Sequence, residues 1–158
     1  MNTTAFSLIM PNSAPDQFVE FSFKGVTRRM YGGSFFMAPD KNDYLTINLM
    51  QEKPELDSSI YFPIRDYSIP QGREALRKVF EEVLASDQDV YVGCFGGKGR
   101  TGLFMAAFLK YLGNQHPIST VREQYNSHAV ETQEQANYVM DFYSLEVSPS
   151  FPASKLKI

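Results

Sequence analysis

The protein has 158 residues, of which 43% are hydrophobic and 21% are charged, and this is enough for one globular domain with a sizeable core. Its formal net charge of −3 argues against a general nucleic-acid-binding protein, since such proteins are normally basic. The sequence has no run of about 18 apolar residues, the length needed to span a membrane. The N-terminal sequence lacks the basic segment of a signal peptide.

The first part of the chain is predicted to be an irregular arm followed by β-strands. Prolines among polar residues predict an irregular N-terminal arm over residues 1–16. Alternating apolar and polar side chains predict a strand over residues 18–23, and a second strand is predicted over residues 26–31. The glycine-rich run at residues 32–34 is predicted to be a turn.

The next predicted elements are two strands and an amphipathic helix. β-branched and apolar residues predict a buried strand over residues 44–50, and a short strand over residues 60–62 ends before Pro63. Apolar residues at helical spacing predict a helix over residues 72–86, whose polar face carries opposite charges four positions apart. We interpret this helix as structural.

The stretch from Val90 to Gly113 is the most informative part of the sequence. A buried strand leads into Cys94, then a loop with three glycines leads to Arg100, and an apolar helix is predicted over residues 100–112. Glycines allow backbone N–H groups to converge on one centre, and a helix N-terminus adds unpaired N–H groups and a partial positive charge. The combination predicts a phosphate-binding loop.

Cys94 and Arg100 add chemistry to this loop. A thiol beside a cationic group at a helix N-terminus favours the thiolate, and a guanidinium can donate two parallel hydrogen bonds to phosphate oxygens. The sequence therefore predicts a sulfur nucleophile that faces a bound oxyanion. A nucleotide-binding Walker loop is excluded because Lys98 is followed by glycine. Cys94 is the only cysteine, which excludes an intrachain disulfide and fits a reducing compartment, so we expect a cytoplasmic protein.

The segment from Cys94 to Thr101 resembles the signature loop of the cysteine-dependent protein-tyrosine and dual-specificity phosphatases, which is Cys, five residues, Arg, then Ser or Thr. Residues 97–102 are especially similar to the dual-specificity and lipid-phosphatase branch. The resemblance covers roughly residues 44–145. It implies an α/β phosphatase fold with a mixed, mostly parallel central sheet and helices on both faces. One position departs from the family pattern, since relatives usually have His before the Cys and this chain has Gly93.

The resemblance also implies a set of catalytic residues. Cys94 would attack the phosphorus, Arg100 and the loop N–H groups would hold the phosphate oxygens, and Thr101 would donate a hydroxyl hydrogen bond to the sulfur. The loop residues implied in phosphate binding are Phe95, Gly96, Gly97, Lys98, Gly99 and Arg100. No cofactor is implied, and no metal is expected because the two histidines lack ligand spacing.

A proton donor for the leaving group is expected near the loop. The run from Pro63 to Asp66 is similar to a Pro-x-x-Asp motif in relatives, which implies that Asp66 is the general acid. Asp66 would then serve as the base when water hydrolyses the phosphocysteine. Asp57 is the other candidate for the acid.

Two further helices are predicted, over residues 119–126 and 131–145. The run from Thr132 to Gln135 fits a helix capping box, and it also resembles a Thr-x-x-Gln run of the family in which the Gln lies near the phosphate. Both interpretations of Gln135 stay open. A mobile tail is predicted over residues 148–158, which leaves a single phosphatase domain over residues 17–147.

The sequence thus predicts a metal-independent phosphomonoester hydrolase, specifically a protein-tyrosine or dual-specificity phosphatase. We expect a monomer whose partner is a phosphorylated protein or another phosphomonoester, with no nucleic-acid binding. One alternative is a phosphate-recognition module without catalysis, for which Gly93 is the only support. The other alternative is a phosphatase for a phosphoinositide, a nucleotide or an RNA 5′-phosphate. In that case Lys98 would recognise a polyanionic substrate. Otherwise Lys98 is a surface lysine that attracts anions in general.

Overall fold

The computed structural model describes residues 14–145. The tail predicted over residues 148–158 and most of the arm predicted over residues 1–16 lie outside the described residues. The strands are β1 (Phe18–Phe23), β2 (Val26–Ser34), β3 (Leu45–Met50), β4 (Ile60–Ile64) and β5 (Val90–Cys94). The helices are a 3₁₀ helix (Phe35–Met37), α1 (Glu74–Ala85), α2 (Gly99–Tyr111), α3 (Pro117–Gln124) and α4 (Gln133–Met140).

The five strands form one mixed sheet in the order β1-β2-β5-β3-β4. Only β1 is antiparallel to its neighbour, and β2, β5, β3 and β4 are parallel to one another. The mixed, mostly parallel α/β sheet expected from the sequence is confirmed. Because parallel strands end at the same edge, the loops that follow β3, β4 and β5 come together there.

Residues 32–34 are not the turn that the sequence predicted. They continue β2 and pair with residues 92–94 of β5. Glycine is needed at position 32 because α2 packs closely against it: a Cβ on Gly32 would lie 2.6 Å from Met105 Cε and 2.9 Å from Thr101 Cγ2. The glycine therefore permits close packing of a helix on a strand, and the sequence signal for a turn was wrong here.

Helix α2 forms the centre of the core. All of its residues except Lys110 are buried, as its continuous apolar sequence predicted. Phe80 of α1 packs edge-on against Phe104 and Phe108 of α2, with ring centroids 5.1 and 5.2 Å apart. This packing fixes the axis of α2 and directs its N-terminus toward the loop after Cys94. None of the helices within residues 14–145 has the length and apolar character needed to cross a bilayer.

The last helix is shorter than predicted. The sequence pattern favoured a helix over residues 131–145, but α4 spans Gln133–Met140. Thr132 is its N-cap and accepts a hydrogen bond from the Gln135 N–H, so the two residues at the predicted start lie outside the helix.

The 3₁₀ helix covers the other face of the sheet, and its position explains why residue 93 is glycine. Successive residues of a strand point to opposite faces, so Gly93 points away from the face on which α2 packs. A Cβ on Gly93 would lie 2.9 Å from Gly33 O and from Phe35 N and Cα. The backbone of the 3₁₀ helix thus fills the space that a histidine at this position would need.

This packing predicts that Gly93→Ala destabilises the protein. A Cβ only 2.9 Å from backbone atoms forces the 3₁₀ helix to shift, and overpacking of this kind costs about 1–3 kcal/mol. The free energy of unfolding from denaturant titration measures the effect. Gly96→Ala is the matched control, because nothing lies within 4 Å of a Cβ there. Equal stability of the two variants would contradict the packing explanation.

Candidate active site

A cavity of about 160 Å³ lies where the parallel strands end. Its lining residues are Asp66, Tyr67, Cys94, Phe95, Gly96, Lys98, Gly99, Arg100 and Glu131. Asp66 follows β4, the loop from Cys94 to Arg100 joins β5 to α2, and Glu131 precedes α4. The structure therefore brings together most of the site residues that the sequence predicted.

The sulfur of Cys94 accepts two hydrogen bonds at the base of this cavity. The Gly97 N–H donates at 3.2 Å and the Thr101 hydroxyl donates at 3.1 Å. Gly97 has φ +76°, a left-handed conformation that favours glycine, and a Cβ there would lie 2.6 Å from the Gly33 carbonyl carbon. Two donors directed at one sulfur stabilise a negative charge on it.

Tyr125 holds the Gly97 peptide in this orientation. Its hydroxyl donates a 2.6 Å hydrogen bond to the Gly97 carbonyl oxygen. Burial raises the pKa of Tyr125, and negative charge at Cys94 raises it further, so the phenol keeps the proton it donates. The sequence gave no signal for this role, since Tyr125 is only an aromatic residue near the end of a predicted helix.

Arg100 is almost completely buried, with 1% of its side chain exposed. Its Nη1 donates to Glu52 Oε1 at 2.8 Å and to the Ile64 carbonyl at 2.9 Å, and its Nη2 donates to Glu52 Oε2 at 2.9 Å. Its Nε is buried and has no hydrogen-bond partner within the described chain. Buried donors are rarely left unpaired, so this N–H group is available to an anion in the cavity that Arg100 lines.

The pair formed by Arg100 and Glu52 keeps both groups charged. Burial by itself lowers the pKa of Arg100, but the hydrogen bonds to Glu52 and the charges of Cys94 and Asp66 outweigh burial and raise it. Hydrogen bonds from Arg100 lower the pKa of Glu52. Glu52 was not predicted as a site residue. Its place two positions after the buried strand β3 is the signal that could have found it.

The two aspartates considered as proton donors occupy different places. Asp66 is at the cavity, with 52% of its side chain exposed, and its Oδ1 lies 3.4 Å from Arg100 Nη2. The same oxygen accepts a hydrogen bond from the Tyr67 N–H at 3.0 Å. Asp57 pairs instead with Lys41 at 3.0 Å and does not line the cavity. The structure therefore places Asp66, and not Asp57, at the phosphate-sized space.

Gln135 lies behind the cavity rather than in its lining. Its Oε1 accepts hydrogen bonds from the N–H groups of Glu131 at 2.8 Å and Thr132 at 3.2 Å, which completes the predicted capping box. Its Nε2 donates to the Ser68 carbonyl at 3.1 Å. Gln135 thus connects the loop that carries Asp66 with the loop that carries Glu131.

The start of α2 completes an anion-binding arrangement. The helix begins at Gly99, and its N-cap Lys98 makes no side-chain capping hydrogen bond. Its first N–H groups and its partial positive charge are therefore directed at the loop around Cys94. A tetrahedral oxyanion above the sulfur suits this arrangement, because the Arg100 side chain lines the cavity and the N-terminus of α2 begins beside it.

Comparisons with known proteins agree with this geometry. Residues 42–142 match the sequence profile of the family described as Swiss Army Knife protein, DSP-PTPase phosphatase domain. An uncharacterized protein of Methanocaldococcus jannaschii is 34% identical over 97 residues, which are 60% of this chain and 61% of that protein. The chain therefore matches less than two thirds of the length of this relative.

Two solved structures have similar folds. The crystal structure of Tk-PTP in the active form is 26% identical, with a TM-score of 0.54 over 69% of this chain and 87% of that chain. The structure of kinase associated phosphatase with its catalytic-site cysteine replaced by serine has a TM-score of 0.55 over 89% of this chain and 98% of that chain. The second is only 17% identical, so it supports the fold alone.

The contacts of Arg100 predict that Glu52→Gln lowers kcat/KM for a phosphomonoester. An amide cannot accept both guanidinium hydrogen bonds, so Arg100 loses its bidentate partner. A hydrogen bond to a charged group contributes about 1.5 kcal/mol at the lower end of its range, which corresponds to about tenfold in kcat/KM. The lower end applies because 41% of the Glu52 side chain is exposed.

Steady-state hydrolysis of p-nitrophenyl phosphate measures this effect. Glu55→Gln is the control, because Glu55 lies in the same loop and forms an ion pair with Lys53 at 3.7 Å, away from Arg100. If Glu52→Gln and Glu55→Gln have the same kcat/KM, Glu52 does not position Arg100.

Proposed function

Because this chain belongs to the family of DSP-PTPase phosphatase domains, we propose that it hydrolyses phosphomonoesters through a phosphocysteine intermediate, with phosphotyrosine in proteins as the favoured substrate. One observation carries the proposal. The Cys94 sulfur accepts hydrogen bonds from Gly97 and Thr101 at the base of a cavity lined by Arg100, whose buried Nε has no partner within residues 14–145.

In the first step, the Cys94 thiolate attacks phosphorus in line with the departing oxygen. The P–S bond forms as the P–O bond breaks, and Asp66 gives its proton to the leaving oxygen. Oδ1 of Asp66 is engaged with Tyr67 and Arg100, so Oδ2 is the oxygen available for proton transfer. Arg100 and the N–H groups of residues 95–100 hold the equatorial oxygens and their developing charge.

In the second step, water attacks the phosphocysteine and the sulfur departs as the thiolate. The hydrogen bonds from Gly97 and Thr101 stabilise the charge that returns to the sulfur. The same two donors therefore serve both steps, because the sulfur is an anion at the start of the first step and at the end of the second.

The packing around Gly93 favours hydrolysis over the alternative of a phosphate-recognition module without catalysis. That alternative depended on Gly93 in place of the usual His. Packing requires glycine at position 93, since the backbone of Phe35 fills the space that a side chain would occupy. The donors to the sulfur are Gly97 and Thr101, and neither requires a residue with a side chain at position 93.

An apolar rim beside the cavity favours an aromatic leaving group. We define this rim as Phe36, Tyr67 and Phe95, which are all exposed. Phe95 and Tyr67 line the cavity and are 60% and 62% exposed. The rings of Phe95 and Phe36 pack edge-on, with centroids 5.6 Å apart. Large apolar groups exposed around a site mark an interaction surface, and phosphotyrosine would place its ring against this one.

A second candidate function is supported by a groove next to the cavity. The groove has a volume of about 420 Å³ and is lined by Lys98, Arg122, Ser127, His128, Val130 and Glu131. The carbonyls of Ala129 and Val130 fix the Arg122 guanidinium at 2.9 Å each. Three groups that can carry positive charge beside a phosphate pocket favour a small substrate with a second anionic group, such as a phosphoinositide or a nucleotide.

Replacement of the nucleophile tests the proposed chemistry. We expect Cys94→Ser to reduce turnover of p-nitrophenyl phosphate by at least about 1,000-fold, because a serine hydroxyl lacks the nucleophilicity of a thiolate. The assay contains EDTA, and circular dichroism confirms that the variant is folded. Retention of most of the activity by Cys94→Ser would show that the nucleophile is wrongly assigned.

Truncation of the apolar rim tests the substrate class. We expect Phe95→Ala to lower kcat/KM about tenfold for tyrosine phosphopeptides, since a contact of this size contributes about 1.5 kcal/mol, and to leave inositol phosphates and nucleotides unaffected. Tyr143→Ala is the control, because Tyr143 is an exposed aromatic residue outside the cavity lining. A preference of the wild-type protein for inositol phosphates or nucleotides would favour the second candidate function instead.

A further inference from the structure

A second carboxylate, that of Glu131, lines the same cavity as Cys94 and Asp66. It comes from the loop before α4, whereas Asp66 comes from the loop after β4. Within residues 14–145, the Glu131 carboxylate has no hydrogen bond or ion pair, and its backbone N–H is bound by Gln135 Oε1 at 2.8 Å. The side chain is thus free to react while its backbone is fixed.

The backbone beside Glu131 is strained. Val130 has φ +64°, a left-handed conformation that is unfavourable for a β-branched residue. Contacts on both sides hold it there: the Val130 N–H donates to the Lys98 carbonyl at 3.3 Å, and the Val130 carbonyl accepts from Arg122 at 2.9 Å. Strain of this kind persists where the surrounding structure imposes it and is frequent at functional sites.

The loop after Cys94 leaves space for this carboxylate. A Cβ on Gly99 would overlap Glu131 Oε1, so a side chain at position 99 would displace the carboxylate from its present place. The carboxylate is therefore packed directly against the first residue of α2. Gly99 leaves room for the carboxylate, and the strained backbone of Val130 fixes the main chain beside it.

Electrostatics indicate that this position does not serve substrate binding. A carboxylate beside a bound phosphate dianion repels it and opposes the attraction from Arg100. A carboxylate whose backbone is fixed beside a phosphate site is available for a different use. A carboxylate without a partner can accept a proton from water, which is what the second step requires.

We propose that Glu131 is the catalytic base of the second step, an inference that rests on the proposed phosphocysteine chemistry. An O–P bond forms between water and the phosphoryl group as the P–S bond breaks. The electron pair of the P–S bond returns to Cys94, and the proton of the water passes to the Glu131 carboxylate. Asp66 then acts as the acid of the first step alone, and the base role implied for it by family resemblance falls to Glu131.

Rapid-mixing kinetics with p-nitrophenyl phosphate test this assignment. We expect Glu131→Gln not to lower kcat/KM, because kcat/KM reports the steps up to the first release of product and the variant removes a charge that repels the phosphate, and to lower kcat about 100-fold. A burst of p-nitrophenol equal to the enzyme concentration then precedes a slow steady state, and mass spectrometry of the quenched protein detects phosphate on Cys94. Glu134→Gln is the matched control, since Glu134 is exposed in the first turn of α4 and lies outside the cavity lining.

Three outcomes are distinguishable. A fall in kcat with accumulated phosphoenzyme and no fall in kcat/KM supports Glu131 as the base. An unchanged kcat, or kcat and kcat/KM that fall together, overturns the assignment while the phosphocysteine mechanism stands. A wild-type protein that neither turns over the substrate nor forms a phosphoenzyme would instead overturn the proposed function on which the inference rests.

Discussion

A buried guanidinium connects the parts of this structure that surround the sulfur. Arg100 lies in the first turn of α2, and it donates to Glu52 after β3 and to the Ile64 carbonyl at the end of β4. Asp66, two residues further on, lies 3.4 Å from the same group. Because the charge of Arg100 is buried, these partners are required to stabilise it, and the loops that supply them are held at the cavity.

The sheet and the central helix determine where the site lies and how α2 is oriented toward the sulfur. Four parallel strands end at one edge, and the buried helix α2 starts there with its positive end toward the sulfur. Close packing on both faces of β2 and β5 requires glycine at positions 32 and 93. The position of the sulfur is therefore set by the core, whereas the chemistry around it comes from loops. The two carboxylates at the cavity, Asp66 and Glu131, belong to such loops.

The sequence predicted the centre of the site better than its surroundings. The strand, glycine loop and apolar helix around Cys94 are contiguous, so local patterns were sufficient to place them. Glu52 and Tyr125 contact Arg100 and Gly97 from distant parts of the chain, and Glu131 lines the cavity. Their places depend on strand order and helix packing, which local patterns do not contain. The turn predicted at residues 32–34 was wrong, and the packing around Gly93 was not foreseen, for the same reason: the close neighbours that require glycine lie elsewhere in the sequence.

A crystal structure of the protein with orthovanadate tests the central claim most directly, since vanadate adopts the geometry of the phosphoryl transition state. The account predicts a covalent V–S bond to Cys94, hydrogen bonds from the N–H groups of residues 95–100 to the equatorial oxygens, and a hydrogen bond from the Nε of Arg100, the buried donor without a partner. A structure at saturating vanadate in which the cavity is empty, or in which the sulfur points away from the oxyanion, would contradict the account.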